Sequence, residues 1–157
     1  MIALRPMLPE ELAAWHEHHL AGYIADRIAA GEPAEAARQG AEAQHAEWFP
    51  DGRPAPGHEV LVAEKDGARV GYLWWGPHPR RPDDATAAWV YDIEVDETQR
   101  GRGHGRELLA ALEERVRAAG VHELSLNVFG DNATARHLYT AAGYREVALL
   151  MAKSLLD

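Results

Sequence analysis

The sequence predicts an α+β domain with a mixed, mainly antiparallel sheet flanked by helices. Three observations carry this expectation. Two strand-like runs, 58–65 (HEVLVAEK) and 69–75 (RVGYLWW), flank Asp66-Gly67, a dipeptide that favours a tight hairpin turn. Residues 103–119 carry Leu108, Leu109, Leu112 and Val116 at helical spacing between two further strand-like runs, which makes one strand–helix–strand crossover. Residues 10–30 and 34–49 are helix-forming in composition and precede the hairpin. At 157 residues, 46% hydrophobic and 26% charged, the chain suits a single domain over 1–157 with a proper core.

The elements follow in order. Residues 2–5 (IALR) read as a short first strand closed by Pro6 and Pro9. The first helix places Leu12, Trp15, His19, Tyr23 and Ile28 along one stripe, until Gly31 and Pro33 break it. The second helix ends in the turn-rich run Pro50-Asp51-Gly52-Arg53-Pro54. After the hairpin, a Pro- and Arg-bearing loop over 76–86 leads into 87–95 (AAWVYDIEV), a third long strand. Gly120 sits where a helix-ending glycine belongs. Residues 124–129 read as a strand, 132–142 as a helix stopped by Gly143, and 144–155 as a final strand or bent pair. No internal repeat interrupts this order.

Composition removes several classes of function. A formal net charge of -9 disfavours a general nucleic-acid binder, because phosphate contacts need clustered Lys and Arg. With no cysteine, disulfides, thiolate metal sites and Cys nucleophiles are excluded. Serine occurs only at 125 and 154, and neither has the G-x-S-x-G setting of a hydrolase elbow. Group transfer would therefore run directly between bound substrates. The first residues lack the apolar core of a signal peptide, and no stretch approaches the roughly 18 apolar residues of a spanning helix. The expectation is a soluble, cytoplasmic protein without a membrane partner.

The most informative segment is Arg100-Gly101-Arg102-Gly103-His104-Gly105-Arg106, between a strand and an amphipathic helix. Its glycines let the backbone approach a ligand without a Cβ in the way. Unpaired amides and the positive dipole end at a helix start favour an anion, and three arginines add local positive charge. A phosphate-bearing ligand follows. It is not a P-loop, because the Lys and Ser/Thr are missing, and it lies too late in the chain for a dinucleotide fingerprint.

Arg100 to Gly105 resembles the Q/R-x-x-G-x-G/A pyrophosphate loop of the GNAT acetyltransferases. Downstream, Asn132, Ala135, Leu138, Tyr139, Gly143 and Tyr144 are similar to that family's second signature, N-x-x-A-x-x-L-Y-x-x-x-G-F/Y. The two stand in the family's order and separation. The resemblance covers 91–145 well, while 1–85 match only in element order, and acceptor specificity would lie there. It implies a GNAT fold in which 87–95 and 124–129 splay, and an enzyme that moves an acyl group, expected to be acetyl from acetyl-CoA, directly onto a primary amine. By the same resemblance, Val95 would offer backbone groups to the pantetheine arm and thioester oxygen. The amides of Arg102, Gly103, Gly105 and Arg106 would hold the pyrophosphate, Asn132 would lie near the pantetheine, and Tyr139 near the CoA sulfur. His104 departs from the family, which more often has an apolar residue or Tyr there.

Each candidate also has a plainer reading. Tyr139 shares the apolar stripe of its helix with Ala135, Leu138 and Ala142, so it reads as a core tyrosine or as the acid that protonates the CoA thiolate. Alternation puts Asp92 and Glu94 on one strand face and Tyr91, Ile93 and Val95 on the other. A protonated amine needs a base, and Glu94, nearer the Gly-rich turn, is the candidate. A solvated face, or an ion pair to Arg69 or Arg145, is the other reading. His16, His18 and His19 lack the H-E-x-x-H spacing of a metal site and read as a solvated helix surface, so no metal is expected. Trp74 and Trp75 point to opposite faces, so at most one is core. The acceptor is a small-molecule amine or a polypeptide amine such as an N-terminus or lysine. A non-catalytic acyl-CoA-binding module is the rival class, and a homodimer is compatible with all of these.

Overall fold

The computed structural model of the chain describes residues 1–156. Its elements run β1 (Ala3–Pro6), α1 (Pro9–Ala29), α2 (Ala34–Trp48), β2 (Glu59–Lys65), β3 (Ala68–Pro77), β4 (Ala87–Val95), α3 (His104–Ala118), β5 (Glu123–Leu126) and α4 (Ala133–Ala141). Two compact units result, Met1–Leu126 and a second beginning at Asn127.

In the first unit the strands lie in the order β1-β2-β3-β4-β5. Neighbours are antiparallel except β4 and β5, which α3 connects in parallel. The predicted hairpin forms: Asp66 and Gly67 take φ of 52° and 80°, the left-handed pair that a two-residue turn needs to match strand twist. The β4–β5 pairing runs from Ala87↔Glu123 to Val90↔Leu126 and stops with β5. The longer strand expected over 124–129 is therefore not formed.

Each face of the sheet buries a different core. On one side α3 lays Leu108, Leu112 and Val116 over Leu61, Leu73 and Val90. On the other, α1 and α2 cover an aromatic cluster in which Trp15 meets Trp74 edge-on at 5.6 Å and Phe49 at 5.5 Å. Trp74 is fully buried in this second core, and half-buried Trp75 packs on the first while donating its indole N–H to Glu59. Trp74 is thus the core residue of the pair, and Trp75 packs half-buried on the opposite face.

Two sequence expectations fail here for physical reasons. Strict alternation assigned Tyr91 to the face of Ile93. The β3–β4 register instead jumps from Trp74↔Asp92 to Trp75↔Val90, which leaves Tyr91 as an extra residue in β4. Tyr91 stacks on Trp74 at 4.6 Å and joins the aromatic core. In the second unit, residues 144–155 form no strand. Val147, Leu149 and Met151 keep a period of two, but a strand exists only where a neighbour completes its hydrogen-bond ladder, which spacing alone does not supply.

Gly71 holds the end of β4 in place. It faces Val95 in the register, and a Cβ there would come within 2.2 Å of the Glu94 carbonyl oxygen. Gly71→Ala is expected to push β3 from β4 and to lower stability by about 2 kcal/mol or more. Chemical denaturation checks this, and an unchanged midpoint would show that the two strands yield freely.

Candidate active site

The Gly-rich turn begins where β4 stops. After Val95 the chain makes one 3₁₀ turn, Glu97–Gln99, and enters α3 at His104. Gly101 and Gly103 have φ of 74° and 81°, and among the described residues no atom beyond their chain neighbours lies within 4 Å of where a Cβ would stand at either. Gly103 caps α3 in the left-handed conformation without a side-chain bond. The first amides of a helix have no intrahelical acceptor, so this end offers donors and a positive dipole to an anion. The exposed side chains of Arg102 and Arg106 add charge nearby, Arg102 touching Gln99 at 3.4 Å. His104 is buried, with Nδ1 3.7 Å from the Glu107 carboxylate, so only its backbone is available to a ligand at the turn.

Arg100 ties the turn back to β4. Its Nε donates to the Val95 carbonyl at 3.1 Å and its guanidinium reaches Glu94 Oε1 at 3.4 Å. The second carboxylate oxygen, Glu94 Oε2, accepts the Tyr72 hydroxyl at 2.6 Å. Burial, and then the bond to Glu94, raise the Tyr72 pKa, so the phenol stays protonated. Arg69 pairs with Asp96 at 2.8 Å, not with Glu94 or Asp92.

Asp92 has a different environment. Burial, followed by the charge of Glu94, pushes its carboxyl up to about 7. Across from it stands His19, Nε2 to Oδ2 at 3.6 Å, and His19 Nδ1 lies 3.1 Å from Nε2 of His45 on α2. Burial, then the neighbouring His45, lowers His19 to about 3, and burial, then His16, lowers His45 to about 4, so both rings stay neutral. This corrects the reading of 16, 18 and 19 as a solvated helix surface. His18 is exposed, but His19 faces the sheet beside Trp15 and His16 stacks on His45 at 4.9 Å. A signal was present: His19 stands on the apolar stripe of its helix, and His45 continues the Ala37, Ala41 spacing of α2. Nothing in the sequence paired Tyr72 with Glu94, because that contact depends on register.

The other candidates belong to the second unit. Asn132 caps α4, its Oδ1 accepting the Ala135 amide at 3.1 Å. Tyr139 lies in α4, its ring 5.8 Å from that of Tyr144. The first unit thus brings together Glu94, Val95, Arg100 and the Gly-rich turn.

Comparison with known proteins bears on this arrangement. A model of the Acetyltransferase (GNAT) family matches residues 12–144. YycN of Bacillus subtilis (strain 168), named an uncharacterized N-acetyltransferase, is 34% identical over 158 residues, covering 98% of this chain and 99% of its own length. The crystal structure of that protein matches with a TM-score of 0.89 at 32% identity, over all of both chains. An L-2,4-diaminobutyric acid acetyltransferase of Nocardia farcinica is 35% identical over 105 residues, 67% of this chain and 52% of its own. The aminoglycoside enzyme AAC(6')-Iy, solved with a CoA-containing bisubstrate analogue, shares the fold at a TM-score of 0.60 and 18% identity, covering 100% of this chain and 99% of its own. The chain belongs to the GNAT acetyltransferase family and is an acyl-CoA-dependent N-acyltransferase.

Proposed function

We propose that the enzyme uses acetyl-CoA and transfers its acetyl group directly to a primary amine, with Glu94 as the base and Tyr139 as the acid. The observation that carries this reading is the Glu94 carboxylate, held between the Tyr72 hydroxyl and Arg100, one residue from Val95 and beside the Gly-rich turn. Amides of Arg102, Gly103, Gly105 and Arg106 hold the pyrophosphate, with Arg100, Gly101 and His104 shaping the turn. Glu94 accepts the amine's proton, directly or through one water, and the freed nitrogen attacks the thioester carbon. The backbone at Val95 stabilises the tetrahedral oxyanion, Asn132 lies along the pantetheine, and Tyr139 protonates the departing thiolate.

A small-molecule amine is the preferred acceptor, because the diaminobutyric acid enzyme is among the relatives; an N-terminal or lysine amine is the alternative. On this reading residues 1–157 act as one catalytic domain in the cytoplasm, where acetyl-CoA is available. Among the described residues no helix is long and apolar enough to cross a membrane.

The test is thioester consumption with acetyl-CoA and a panel of amines. Tyr139→Phe should lower turnover by about tenfold to a thousandfold while CoA affinity stays within a few-fold, since only a transition-state proton is lost. Unchanged turnover would make Tyr139 a packing residue. CoA binding without consumption of thioester by any amine would favour an acyl-CoA-binding module instead.

A further inference from the structure

The proton taken from the amine has to leave Glu94 before the next turnover, and β4 carries a second carboxyl group on the same face. Asp92 lies two residues back along the strand, roughly 7 Å away at about 3.3 Å per residue. It is not packed like a bystander. His19 points Nε2 at its Oδ2 from 3.6 Å, and His45 fixes His19 through the 3.1 Å contact between Nδ1 and Nε2. Three elements, β4, α1 and α2, therefore converge on one carboxyl group through a line of ring nitrogens. His45 is only 2% exposed and its Nδ1 has no hydrogen-bond partner among the described residues, so this line ends inside the protein at His45. An aromatic core tolerates such groups at a cost, and an apolar residue would pack there without it. Among the described residues no His, Asp or Glu cluster is suited to hold a metal ion.

Resting on the assignment of Glu94 as base, we propose that Asp92 is a second proton station which takes the amine's proton from Glu94 and passes it to water, with His19 and His45 as its positioning residues. The nitrogen–hydrogen bond of the amine breaks as an O–H bond forms on Glu94. That O–H bond breaks, through one water, as the proton reaches the Asp92 carboxylate, and Glu94 returns to its ionised form. Asp92 then releases the proton to solvent, to which 22% of its side chain remains open. His19 stays neutral throughout, with its Nε2–H directed at Asp92 and its Nδ1 accepting from His45 Nε2–H.

The surroundings fit this role. Asp92 faces Glu94 on its own strand, His19 and the charge of Asp26 from α1, and His45 lies behind His19 on α2. On β3, the Tyr72 hydroxyl is committed to Glu94. His16 and His18 add to the effects that keep His19 neutral. A carboxyl group poised at about 7 neither traps a proton nor refuses one at neutral pH.

The test uses the full-length enzyme with acetyl-CoA and a reactive amine, in dilute and in concentrated imidazole buffer. Asp92→Asn should lower turnover by about tenfold in dilute buffer and recover most of it in concentrated imidazole, which carries the proton instead. The wild-type rate should rise with pH through about 7, and Asp92→Asn should lose that limb. His19→Leu should behave like Asp92→Asn, whereas His19→Gln, which keeps an N–H near the Nε2 position, should retain most of the activity. Glu17→Gln, on the exposed side of α1, should match the wild type. Melting temperature and CoA affinity identify any variant that is merely misfolded. If Asp92→Asn is insensitive to imidazole and keeps the wild-type pH limb, the second station does not exist. Loss of the Glu94 assignment would appear separately, as a Glu94→Gln enzyme with full turnover.

Discussion

Gly103→Glu is expected to abolish measurable CoA binding. Gly103 caps α3 at φ 81°, a conformation that L side chains adopt at a cost of about 1–3 kcal/mol. The new carboxylate would also sit at the positive end of the helix and compete with the pyrophosphate for the same unpaired amides. A micromolar ligand is bound by about 8 kcal/mol, so losing even half of that raises the dissociation constant about a thousandfold. Gly103→Ala separates the two effects, since it strains the backbone without adding charge and should weaken binding much less. Calorimetry reads both variants. Unchanged CoA affinity in Gly103→Glu would remove the Gly-rich turn from the binding site.

Glu94→Gln should lower turnover at neutral pH by a factor on the order of a hundred or more. The amide keeps the side chain's shape and can still accept the Tyr72 hydroxyl, so CoA binding and the β3–β4 register should persist. What it loses is the capacity to take a proton. An alkylamine with a pKa near roughly 10 is almost all ammonium at pH 7, and only the neutral form attacks. Raising the pH should therefore restore much of the loss, because more acceptor arrives neutral. An aniline or hydrazine acceptor, already neutral at pH 7, should be spared. Asp92→Asn should do less on each measure. Equal impairment at every pH and with every acceptor would mean that the carboxylate instead positions a cationic substrate or anchors Arg100.

These two residues show how differently a site can be written in a sequence. The glycine turn was legible because its requirements are local. Gly101 and Gly103 supply left-handed backbone, the stripe of α3 starts directly after them, and neither needs a partner distant in sequence. Glu94 was legible only as a carboxylate on a strand face. Its two partners, Tyr72 and Arg100, follow from the register of β3 on β4 and from the fold of the turn. The spacing of His16, His18 and His19 fits no metal motif and reads as an outward face, whereas His19 turns toward the sheet because it stands on the apolar stripe of its helix with Trp15.

By itself, the sequence determined the helices, the hairpin, the crossover and the Gly-rich turn, since dihedral preferences and hydrophobic periods act over a few neighbouring residues. The tertiary structure decided the rest. It moved Tyr91 to the aromatic face through a bulge, left 144–155 without a strand, and packed His19 against Asp92 with His45 behind it. Which face a strand residue takes depends on its neighbour's register. What proton a carboxyl group holds depends on the water removed by side chains far away in the chain, and no local pattern records either.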